Sequence, residues 1–102
     1  MAKQKTIPLR EIEVHNYEIP GGRATLSAKI TEIGDLQLEG YDHGDVVEKA
    51  WGHEDYEYFV TIKEELKDTV LLHLLKDAIK DSSGFMEWLK ARGIDYEFHS
   101  FP

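Results

Sequence analysis

The chain has 102 residues, with 20 acidic against 12 basic side chains and a formal net charge of −8. That length fits one domain with a single core, and the charge repels nucleic acid and anionic membrane surfaces. The absence of cysteine excludes disulfides, thiolate zinc sites, iron–sulfur clusters and a cysteine nucleophile.

Five Tyr, four Phe and two Trp supply the large buried area of a globular chain rather than a disordered one. Residues 1–102 are therefore expected to fold as one α+β domain, with 1–5 a disordered basic terminus. No apolar run of signal-peptide length follows Met1, and nothing approaches the roughly 18 apolar residues of a membrane span. The expected location is the cytoplasm.

In chain order, Ile12, Val14 and Tyr17 are spaced for a strand bounded by Pro8 and Pro20. Pro20-Gly21-Gly22 reads as a turn. Ala24, Leu26, Ala28 and Ile30 then alternate with Thr25, Ser27, Lys29 and Thr31, and Leu36, Leu38 and Gly40 alternate with Gln37, Glu39 and Tyr41. Two such runs around Ile33-Gly34-Asp35 predict a hairpin over 24–41 with one apolar face.

Asp45-Val46-Val47-Glu48 reads as a capping-box variant opening a helix of about two turns, which Gly52 ends in the left-handed conformation. Tyr56, Tyr58, Val60 and Ile62 share one face of the next strand, and Glu57, Phe59 and Thr61 share the other. Leu66, Val70, Leu71, Leu74 and Ala78 follow the spacing of a core stripe on a helix over 64–80. A serine of Asp81-Ser82-Ser83-Gly84 caps a second helix bearing Phe85, Trp88 and Leu89, and Arg92-Gly93 closes it. Ile94, Tyr96 and Phe98 alternate as a terminal strand. The expected fold is a two-layer α+β sandwich: an antiparallel sheet of four or five strands, with the two C-terminal helices packed on one face.

Few residues carry chemistry. Ser27, Ser82 and Ser83 lack a nucleophile-elbow context, and no phosphate-binding glycine loop opens a helix. The one constellation is acidic. Asp42, Asp45, Glu48, Glu54 and Asp55 surround Trp51, and His43 and His53 lie among them. Imidazole and carboxylate suit a divalent metal, so His43, Asp45, His53 and Asp55 are the metal candidates, but their spacing matches no helical ligand pair. No cofactor is expected. An acidic face beside Trp51, Tyr41 and Phe59 suits a basic protein partner, and Trp51 serves either as an interface anchor or as core.

Gly34-Asp35-Leu36-Gln37-Leu38-Glu39-Gly40-Tyr41-Asp42-His43-Gly44 and Asp55-Tyr56-Glu57-Tyr58 together resemble small uncharacterised bacterial proteins with G-D-L-x-L-x-G-x-D-x-G and D-Y-E-Y segments in this order. The resemblance covers the middle half of the chain. It implies a bacterial source and carries no activity and no site residues. The expected function is a small acidic protein-interaction module, of the general type of immunity proteins and antitoxins. The alternatives are a small-ligand-binding domain and a metal-dependent enzyme using the His43/His53 cluster.

Overall fold

The computed structural model describes residues 6–52 and 55–102. Its elements are β1 (Glu11–Ile19), β2 (Gly22–Ile30), β3 (Leu36–His43), α1 (Asp45–Trp51), β4 (Asp55–Ile62), α2 (Glu64–Ala78) and α3 (Ser82–Ala91). The strands form one antiparallel sheet in the order β1-β2-β3-β4, and the two C-terminal helices follow it in an α+β fold. The chain makes two compact units, one of residues 9–68 and one of residues 6–8 with 69–102.

The first unit is the sheet with α1 and the first turn of α2. Pro20-Gly21 joins β1 to β2 in the residue order of a type II turn, with Gly21 at φ 75°. Ile12 pairs with Ala28 and Tyr17 with Ala24, which places both on one face despite their odd spacing. A bulge between Glu13 and His15 absorbs the extra residue, so Val14 leaves the alternation that the sequence predicts. β2–β3 and β3–β4 run without a break in register.

One face therefore carries Leu26, Ala28, Ile30, Leu36, Leu38, Val60 and Ile62. It also holds Gly40, which is buried opposite Tyr58, and a Cβ there would run into the tyrosine ring. Glycine at this position lets the aromatic ring lie across β3.

The turn between β2 and β3 holds the start of α2. Gly34 takes φ 91°, and the Asp35 backbone N–H donates to Thr31 Oγ1 at 3.0 Å. The Asp35 carboxylate is buried and accepts from the Glu64 backbone N–H at 2.9 Å, one of the orphan donors of the first helical turn. Lys67 Nζ donates to the Gly34 carbonyl at 3.1 Å from the same turn of helix. A carboxylate at a helix N-terminus also meets the positive end of the macrodipole.

Two capping expectations differ from the structure. Asp45 is the first residue of α1 rather than its cap. Gly44 stands at the cap with φ 139° and no side-chain hydrogen bond. The backbone does the positioning instead, because Asp45 N–H donates to the Pro20 carbonyl at 3.0 Å. α1 packs against β3 and β4 and buries Val47. In α3 the cap is Asp81, which accepts from Gly84 N–H at 2.7 Å, and Ser82 is already helical.

The second unit holds the rest of α2, α3 and the C-terminal segment. Leu89 is buried, at 9% exposure, but α2 has no buried residue among those described. Leu71 and Leu74, expected as core, are 52% and 58% exposed. They line an open apolar groove of about 480 Å³ together with Ala78, Ile79, Phe85 and Trp88. Arg92 lies over the Trp88 ring at 3.9 Å from its centroid, a cation–π contact that covers one side of the indole.

The expected terminal strand does not form, and the backbone donors explain why. Ile94 N–H closes the helix end on the Leu89 carbonyl at 3.0 Å, with Gly93 at φ 66°. Asp95 N–H goes to Thr6 Oγ1 at 2.8 Å, while the Asp95 carboxylate accepts from Thr6 N–H at 2.9 Å. One amide is taken by the helix end and the other by a side chain rather than by a strand backbone, and alternation in 94–98 finds no ladder among the described residues.

Candidate interaction surface on the sheet

Strand alternation and register together sort the sequence-predicted residues. Asp55 pairs with His43, and His43 with Arg23, so these three share the polar face. Tyr41 pairs with Glu57 and Glu39 with Phe59 on that same face. Asp42 pairs with Tyr56 and Ala24 on the opposite, apolar face. Asp45 and Glu48 are exposed on α1. The acidic cluster that is continuous in sequence is thus divided between the two faces of the sheet and a helix. The side chain of Trp51, and His53 and Glu54 entirely, lie outside the described residues.

The polar face carries Glu11, Glu13, Glu18, Glu39, Asp55 and Glu57 against Arg23 and Lys29. Arg23 is already engaged: Nε donates to Asn16 Oδ1 at 2.7 Å, and a guanidinium nitrogen lies 3.6 Å from Glu18. In the middle stand two aromatics, Tyr41 at 38% and Phe59 at 53% exposure, on adjacent strands and diagonal to each other. A hydrogen bond to Asp55 raises the Tyr41 pKa above its ordinary value. Desolvation, and then the negative charges of Asp55 and Glu57, add to the shift. The Tyr41 and His43 rings lie 5.7 Å apart.

On the apolar face the Tyr58 pKa is also raised, first by desolvation and then by the charges of Asp42, Tyr17 and Tyr56. Asp42 therefore sits among tyrosines rather than among the other acids. The Tyr56 and Tyr58 rings stack at 5.5 Å.

His43 and Asp45 line a small polar dent of about 110 Å³ with Gly21, Gly44 and Glu48. Among the described residues no three His, Asp or Glu side chains converge to hold a metal ion. No described helix is long and apolar enough to cross a membrane.

Sequence reasoning placed Tyr41 and Phe59 beside the acidic face but missed Glu39, Glu11, Glu13 and Glu18, which the sheet brings alongside from other strands. Strand alternation in β1 and β3 is the signal that finds them. Comparison with protein-family models, with curated proteins and with solved structures found no match to this chain.

Proposed function

We propose that this chain is a cytoplasmic protein-interaction module whose polar sheet face receives a basic partner. The observation that carries the reading is the pair Tyr41 and Phe59, both solvent-exposed in a face where six carboxylates stand against two basic residues. Exposed aromatics provide desolvated contact area, and the surrounding charge steers encounter. The imbalance belongs to this unit. Residues 9–68 hold fifteen acidic and six basic side chains, a net −9, while the remaining residues carry five and six.

The test begins with affinity capture of a partner and its purification. Glu39→Gln with Glu57→Gln should then slow association and flatten its salt dependence, because screening acts on steering over about 8–10 Å. Phe59→Ala should instead speed dissociation. A purified partner whose association ignored the charge substitutions and the salt concentration alike would refute the reading.

A second reading draws on the apolar groove of α2 and α3. Its volume of about 480 Å³ falls within the range of small-molecule sites. An apolar fluorescent probe should bind there and be lost in Trp88→Ala, and indifference of the probe to that substitution would remove this reading.

A further inference from the structure

We propose that β4 is a self-association edge, through which two copies of the chain join β4 to β4 antiparallel about a two-fold axis at Phe59, making one eight-stranded sheet. The proposal goes beyond the basic-partner reading and does not depend on it.

Among the described residues the sheet has two edges, β1 and β4, and they are built differently. β1 carries a bulge, is bounded by Pro8 and Pro20, and bears Glu11, Glu13 and Glu18. These are the devices that blunt an edge against further pairing. β4 has no bulge and no flanking proline, and its two acids, Asp55 and Glu57, stand at one end of the strand. It pairs with β3 in unbroken register, contains no proline, glycine or lysine, and six of its eight residues are aromatic or β-branched. Such an edge presents a row of backbone donors and acceptors to a matching strand.

Charge and strand overlap together select the second copy and its register. Only alternate residues of an edge strand direct their N–H and C=O outward, so the two-fold axis of an antiparallel self-pair falls on a residue. An axis at Glu57 opposes that carboxylate to itself. An axis at Tyr58 sets Asp55 against Thr61 and gains no ion pair. An axis at Val60 sets Glu57 against Lys63 but pairs only residues 58–62 within β4, where an axis at Phe59 pairs residues 56–62. An axis at Phe59 sets Asp55 against the second copy's Lys63 at both ends of the pair and Glu57 against its Thr61. On the apolar face it sets Tyr58 against Val60 and Tyr56 against Ile62, so that face continues across the junction. Between Asp55 and Lys63 no acid opposes an acid. Lys63 follows β4 directly and reaches Asp35 only at 3.5 Å, with its side chain 65% exposed, so its charge is available to a neighbour. Opposite-charge and aromatic pairs directly across a ladder are the stabilising ones.

The experiment uses the full chain. Sedimentation equilibrium over a concentration series should give twice the chain mass at the upper end. Phe59→Cys should then form an interchain disulfide on mild oxidation. Residues directly opposite in an antiparallel pair are about 4.5–5.5 Å apart between Cα atoms, inside the range a disulfide spans. Glu57→Cys, on the same face but displaced from the axis, should not. Asp55→Lys should weaken association about tenfold by opposing like charges at both ends, and Asp55→Lys with Lys63→Asp should restore it. A monomer at every concentration, equal crosslinking through residues 57 and 59, or an association indifferent to Asp55→Lys would each overturn the proposal.

Discussion

Replacing Asp35 with alanine removes the acceptor that joins the β2–β3 turn to the first turn of α2. Asp35 is 6% exposed, and its carboxylate accepts from Glu64 N–H at 2.9 Å. Loss of a helix cap costs about 0.5–2 kcal/mol, and loss of a hydrogen bond to a charged group about 1.5–3 kcal/mol. These describe one contact and do not add. The ion pair to Lys63, at 3.5 Å with a largely exposed ammonium, contributes little. The expected loss for Asp35→Ala is therefore about 2 kcal/mol, which for a chain of this size lowers Tm by roughly 8–16 °C. Asp35→Asn keeps an oxygen facing Glu64 and loses only the charge, so it should cost about 0.5–1 kcal/mol. Urea denaturation followed by circular dichroism measures both, and amide exchange at Glu64 should quicken in the alanine variant alone. A loss below about 0.5 kcal/mol for Asp35→Ala, or equal losses for the two variants, would refute the capping argument.

Gly40→Ala drives a Cβ into the Tyr58 ring and should cost about 1–3 kcal/mol by overpacking. Adding Tyr58→Ala should make the double variant cost less than the sum, and strict additivity would deny the contact. Leu89→Ala should cost about 2–5 kcal/mol and Leu71→Ala under about 1 kcal/mol, because only the first is buried; similar losses in denaturant melts would contradict that contrast. Tyr41 should ionise above the ordinary tyrosine value, and Asp55→Asn should bring its titration down. With its folded pKa raised, Tyr41 contributes stability that is present below pH about 10 and lost as pH rises through the folded value. Ultraviolet titration of Tyr41→Phe against the parent reads this, and an unchanged curve in Asp55→Asn would contradict the cause given. Asp95→Ala removes the acceptor of Thr6 N–H and should cost about 0.5–1.5 kcal/mol, seen as faster exchange of the Thr6 amide, whose unaltered protection would show the contact carries no weight.

β2, β3 and β4 were legible because each is written in its own side chains, whereas the equally alternating 94–98 finds no partner strand among the described residues. Alternation of Leu26, Ala28 and Ile30 with Ser27 and Lys29 defines two faces before any partner is known, and the register of β2 with β3 keeps them. Gly52 likewise ends α1 at φ 77°, as a glycine after a short amphipathic run does. These signals are local, since they depend on residues within one or two turns of chain. The roles of Asp35 and Gly40 were not legible. Asp35 reads as a turn residue until Glu64 arrives, 29 positions later, and Gly40 reads as the end of a strand until Tyr58 lies across it.

The same division runs through the candidate surface. The sequence determines that 42–55 is acidic and that Tyr41 and Phe59 stand on polar strand faces. Only the sheet decides that Asp42 parts company with Asp55, because neighbouring strand residues point to opposite faces and the pairing then sorts them. Likewise the spacing of Leu71, Leu74 and Ala78 determines an apolar stripe on α2, while the tertiary structure decides that it borders a groove and is not sealed in a core. Periodicity is a property of a single segment. Burial depends on what a second segment brings against it, and nothing within α2 encodes that.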